Sequence, residues 1–92
     1  MEVLNASTAL ETAGSRVQAA QAGLAAANTQ LQAEQDRFGA GASTNFLVLT
    51  RQTDLALAQL ALISALADYQ RALTDLARAT GTLLTDRGIT VK

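Results

Sequence analysis

A seven-residue spacing of large apolar side chains restricts the fold of this chain more than any other feature. Val3, Leu10, Val17, Leu24, Leu31 and Phe38 lie seven apart, and Ala6, Ala13, Ala20, Ala27 and Glu34 fall between them. Large apolar residues at one position of a heptad and alanine at another form a coiled-coil seam. Glu34 alone departs from the alternation. Proline is absent from all 92 residues, so nothing in the covalent chain forces a helix to break.

The heptad stops at Gly39-Ala40-Gly41-Ala42-Ser43-Thr44-Asn45. Glycine supplies the left-handed backbone that ends helices, and Ser, Thr and Asn are the preferred residues for starting them. A stop signal followed so closely by a start signal predicts a tight turn, and helices joined by so short a turn are antiparallel neighbours. The fold class expected is therefore all-α, a long antiparallel two-helix coiled-coil hairpin spanning residues 1–85. Its helices are expected at about residues 3–38 and 45–80 and its tip at 39–44, with Gly81 closing the second helix. Residues 86–92, with Ile89-Thr90-Val91, read as a tail outside the helix.

In the second helix one seam row is Val48, Leu55, Leu62, Tyr69 and Leu76. The row expected beside it is Gln52, Gln59, Leu66, Leu73 and Thr80. Leu49, Ala56, Ile63 and Ala77 flank it, and Leu57 and Leu60 lie outside it. An apolar arc this wide needs more than one neighbour. A turn centred between Gly41 and Ala42 pairs Leu31 with Gln52, Leu24 with Gln59, Val17 with Leu66 and Leu10 with Leu73. It sets the alanine row against large residues, Ala20 against Leu62 and Ile63, and Ala13 against Tyr69. At ~1.5 Å per residue the rod should be about 50 Å long.

Composition narrows the function. A net charge of −1 gives no basic face with which to displace counterions, so nucleic acid is an unsuitable partner. Cysteine and histidine are both absent, which removes disulfides, thiolate nucleophiles and the usual zinc sites. The single lysine is Lys92, far from any serine or threonine it could activate. Glu34 and Asp36, two apart on one helix, do not face each other and read as solvated acids. Gly39-Ala40-Gly41 lacks the strand and the GK[ST] of a phosphate loop. No enzyme, cofactor or metal site is expected. The charges Asp68, Arg71, Asp75 and Arg78, three or four apart, read as a solvated face. Gly14 and Gly23 weaken the first helix by up to ~1 kcal/mol each relative to alanine.

No secretory leader is recognised in residues 1–20. With Met1 the only methionine, the chain is expected to be either a cytosolic protein or, the favoured reading, a piece of a longer protein given a start codon. No membrane insertion is expected of it. The most apolar run, Leu55 to Ala67, contains Gln59 and Ser64 and falls short of the ~20 residues of a span.

From Arg37 onward the chain resembles the second hairpin of the TolC-type outer membrane efflux proteins. That family carries an Arg-aromatic pair, two variable residues, a glycine, a small or hydroxyl-rich segment, then Val-Leu and a following Gln. Here Arg37-Phe38, Gly41, Ser43-Thr44, Val48-Leu49 and Gln52 stand in that order. Tyr69, Ala72, Leu76, Ala79, Gly81 and Leu83 match a second set of spaced family positions, and Leu31-Gln32-Ala33-Glu34 is also typical. The resemblance covers roughly residues 3–85.

The resemblance implies one periplasmic tunnel hairpin of a trimeric outer membrane channel, packed between other hairpins. Its tip would dock a periplasmic adaptor protein in a tripartite export system, using Arg37, Phe38, Gly41, Ala42, Ser43 and Thr44. Leu47 and Thr50 would line the narrow entrance, where well-studied members carry acids. Arg51 replaces the usual alanine, which puts a positive charge near the entrance or on the outer surface, the second being the expectation for a single helical arginine. A free-standing coiled-coil dimerisation or spacer module is the alternative. In either case the isolated hairpin should self-associate.

Overall fold

The computed structural model describes the backbone of residues 2–86 and the side chains of residues 3–81. Among the described residues there are two helices, α1 (Glu2–Gly39) and α2 (Asn45–Asp86), and no strands. They lie antiparallel against each other along a rod of 71 × 18 × 17 Å. Part of the excess over the expected length comes from α2, which does not stop at Thr80 and gains about 9 Å from six further residues. It passes through Gly81 and continues to Asp86. Glycine at that point is only a weak helix former, costing about 1 kcal/mol relative to alanine, and the chain does not take up the left-handed conformation there. Of the expected tail, residue 86 is helical, and 87–92 lie outside the described residues.

On α1 the seam lies where the heptad places it. Ala13, Ala27 and Glu34 are buried, and Ala6, Ala20, Val3, Leu10, Val17, Leu24 and Leu31 are half-buried. On α2 the first row is likewise Val48, Leu55, Leu62, Tyr69 and Leu76, all half-buried. The second row differs from the expectation. It consists of Arg51, Ala58, Ala65, Ala72 and Ala79, whereas Gln52, Gln59, Leu66, Leu73 and Thr80 are exposed. The reason is backbone distance. Alanine facing alanine lets two helices approach closely, and the large residues of the other rows then close over both sides of the contact. A pattern search that rewards bulk selects Leu66 and Leu73 one residue too late.

The facing register follows from the same correction. Glu34 meets Arg51, two residues along from the Leu49 that a turn centred at Gly41 and Ala42 implies. Ala13 shares a groove with Ala72, Asp68, Arg71 and Arg16. Ala20 therefore does not face Ile63, which points outward and is 63% exposed. Tyr69 does reach α1 near the expected height, its Cε2 lying 3.6 Å from where a Cβ on Gly14 would stand.

The outward face of α2 stays apolar over its tipward half. Phe46, Leu49, Leu57, Leu60 and Ile63 are all exposed. By length and composition alone, α2 between Asn45 and Gly81 contains a window long and apolar enough to cross a membrane. The sequence expectation counted only the charge-free run Leu55 to Ala67, whereas a window of this length extends past it to Asp54 or Asp68. The window is not buried within the hairpin. It is weak support for a span, because a helix meant for protein neighbours has the same composition.

Candidate functional site

The tip is built from backbone bonds. The Ala42 N–H donates to the Arg37 carbonyl at 2.8 Å, and the Gly41 N–H donates to the Phe38 carbonyl at 3.0 Å. This nested pair is the Schellman closure of a helix, which requires a left-handed residue between its partners. Gly41 is that residue, with φ of 79°. Gly39 is still helical. Thr44 then starts α2. Its Oγ1 accepts from the Leu47 N–H at 3.2 Å, and its carbonyl accepts from the Val48 N–H at 3.1 Å. An N-cap of this kind satisfies one of the four otherwise unpaired N–H groups of a helix start.

One carboxylate lies beneath the tip. Glu34 is 3% exposed, the opposite of the solvated acid expected from the sequence. Its neighbour Asp36 is exposed and accepts from Gln32 Nε2 at 3.2 Å. Ser43 Oγ donates to Glu34 Oε2 at 2.5 Å. Arg51 Nε lies 3.5 Å from Glu34 Oε1, and Arg37 Nη1 lies 3.6 Å from Oε2. Arg51 also reaches Asp54 at 3.2 Å. The Ser43 hydroxyl holds the Glu34 carboxyl below the ordinary glutamate range. Burial opposes that effect, and Arg37 and then Arg51 reinforce it. Arg51 is thus a seam residue rather than the solvated surface arginine expected of it. The heptad carried the signal for both, since Glu34 occupies an alanine position and Arg51 lies seven before Ala58.

The candidate docking residues divide by what they touch. Arg37 is largely exposed while paired to Glu34, Phe38 is 45% exposed, and Ala42 is exposed beside them. Gly41, Ser43 and Thr44 each have a structural task, as the left-handed turn, the bond to Glu34 and the helix cap. Phe46, absent from the expected set, is the most exposed of the large apolar residues near the tip, at 75%. Of the entrance candidates, Leu47 is exposed, and Thr50 returns its hydroxyl to the Phe46 carbonyl at 2.9 Å. Asp54, one turn beyond Thr50, is paired with Arg51.

Comparison with known proteins bears on the whole hairpin. No curated protein and no solved structure matches the chain. A family model described as outer membrane efflux protein matches residues 1–82. That match takes in α1, the tip and nearly all of α2, so the chain belongs to the outer membrane efflux protein family, whose members are components of efflux channels.

Proposed function

We propose that the chain is a periplasmic tunnel hairpin of an outer membrane efflux channel and that its tip docks a periplasmic adaptor protein of a tripartite export system. The observation that carries this reading is the second apolar row on α2. Phe46, Leu49, Leu60 and Ile63 lie on the side of the helix away from α1 and are all exposed. A helix with apolar surface on two opposite sides is made to stand between neighbours.

The other helix offers what such a neighbour needs. In the register set by Glu34 and Arg51, Leu60 is level with Ala25 and Ile63 with Ala22. The outer surface of α1 at those heights is small: Ala19, Ala22, Gly23 and Ala26 are exposed. Large residues against small ones fill space. Hairpins standing side by side in a tunnel wall can therefore seat α2 of one on α1 of the next. This favours protein over lipid as the cover for α2. The tip supports docking because its backbone is closed by its own hydrogen bonds, which leaves Phe38, Ala42 and Phe46, with the exposed Arg37 that Glu34 pairs, to meet a partner.

The test uses the absence of cysteine from the chain. A single cysteine at Ala42 of the full-length channel is paired with cysteines scanned along the adaptor hairpin tip, and disulfides are sought in living cells. Cross-links confined to the adaptor tip are the expected result. No cross-link at any position, with both proteins present and folded, would leave the coiled-coil spacer in its place. Gly41→Glu is expected to abolish export, and normal export from a well-expressed Gly41→Glu channel would contradict the docking role.

A further inference from the structure

Glu34 is a buried titratable group that tunnel packing and tip docking leave unused. Its partners come from three parts of the chain: Arg37 from the last turn of α1, Ser43 from the tip, and Arg51 from α2. We propose that Glu34 is an acid-sensitive latch. Ionised, it ties the tip loop to the seam through Ser43 and to α2 through Arg51, and protonation frees the loop while both helices persist.

The loop depends on this bond more than on any other side chain. Its remaining ties are the backbone closure at Asp36, Arg37 and Phe38 and the Thr44 cap. An O–H donating to an ionised oxygen at 2.5 Å is a charge-assisted bond, about twice as strong as its neutral counterpart. Adding a proton to Glu34 weakens that bond and removes the charge that holds Arg37 and Arg51. Arg51 keeps Asp54 as a partner, so it can leave the seam without being orphaned. Asp36 takes no part, because it is turned outward to Gln32. The latch belongs to the hairpin itself and does not rest on the docking role.

The direction with pH follows from the partners. The folded state lowers the pKa of Glu34. Its contribution is therefore complete above the ordinary glutamate value and is lost as pH falls through the lowered one. Release therefore belongs below the ordinary glutamate range.

The experiment places a nitroxide on a cysteine at Ala42, in the full 92-residue chain. Its mobility is followed by electron paramagnetic resonance, with helicity followed by circular dichroism. The label should be less mobile at neutral pH than in acid. Its mobile population should rise as pH falls below the ordinary glutamate range, with helicity unchanged. Glu34→Gln should give a profile flat with pH. Ser43→Ala, which keeps the ion pairs and removes the tie, should be mobile already at neutral pH. A label indifferent to pH would overturn the latch. So would a Glu34→Gln variant with the wild-type transition, which would assign the effect to Asp36 or Asp54. Helicity lost in step with mobility would do the same, because that is general acid unfolding.

Discussion

Arg51 Nε and Glu34 Oε1, 3.5 Å apart, join α1 to α2 where the alanine rows end. Among the described residues the other ion pairs connect positions three apart on one helix. The placement has a structural consequence. Alanines on each helix spaced by seven would still keep three of their four facing pairs after sliding by one heptad. A charged pair at one end of the row removes that freedom, because sliding would bury Glu34 against an apolar residue.

Truncating the pair should therefore matter more than its partial exposure suggests. Arg51→Ala should lower the thermal midpoint, since it leaves a covered carboxylate short of a partner. Arg71→Ala removes the exposed pair with Asp68 and should change stability by no more than about 0.5 kcal/mol. Replacing both members, Glu34→Leu with Arg51→Leu, should restore most of what Arg51→Ala loses. Thermal melts of the four proteins decide it. Equal midpoints for the two arginine variants would mean that the seam pair does no more than a surface one.

The heptad of α1 was legible because large residues and alanine alternate there with Glu34 as the one exception, and the tip was legible because glycine and hydroxyl residues cluster in one place. The second row of α2 was not. Alanines at 58, 65, 72 and 79 lie beside Gln59, Leu66, Leu73 and Thr80, and bulk alone favours the wrong set. Only the partner helix decides between them, since its own alanines permit a close approach that leucine would prevent. Glu34 and Arg51 were misread for a related reason. A charge reads as solvated when taken singly, and the seam covers these two because each supplies the other's counter-charge. The full extent of α2 was missed because Gly81 stops a helix only where the backbone turns left-handed.

The alanine contact can be tested by size. Ala72→Leu should destabilise the hairpin by about 1–3 kcal/mol, the usual range for overpacking a close contact. Leu73→Ala, at the exposed neighbouring position, should cost less than about 1 kcal/mol, because little of that side chain is lost from a packed site. Urea unfolding of both variants distinguishes the rows. A larger loss from Leu73→Ala would restore the row expected from the sequence.

Two glycines should respond to alanine in opposite directions. Gly41→Ala forces a side chain into the left-handed region at φ of 79°, which should cost roughly 1–2 kcal/mol. At Gly14 the added methyl would meet Tyr69 Cε2 at 3.6 Å, an ordinary contact. Gly14→Ala should therefore stabilise α1 by up to about 1 kcal/mol through helix propensity. Denaturant midpoints for the pair check both signs. A stabilising Gly41→Ala would show that the left-handed turn is not needed.

The outward row on α2 should govern association rather than folding. Leu60 and Ile63 are both more than half exposed and sit on the side away from α1. Leu60→Gln with Ile63→Gln removes apolar surface from that side while leaving the alanine seam intact. The wild-type chain should self-associate in sedimentation equilibrium. The double variant should shift toward monomer by about tenfold or more in dissociation constant, the effect of roughly 1.4 kcal/mol. Its helicity should be retained, since neither side chain faces the seam. A wild-type chain that stays monomeric at high concentration would show that this apolar face does not by itself recruit a second copy. A double variant that associates as strongly as the wild type would move the contact to another face of the rod.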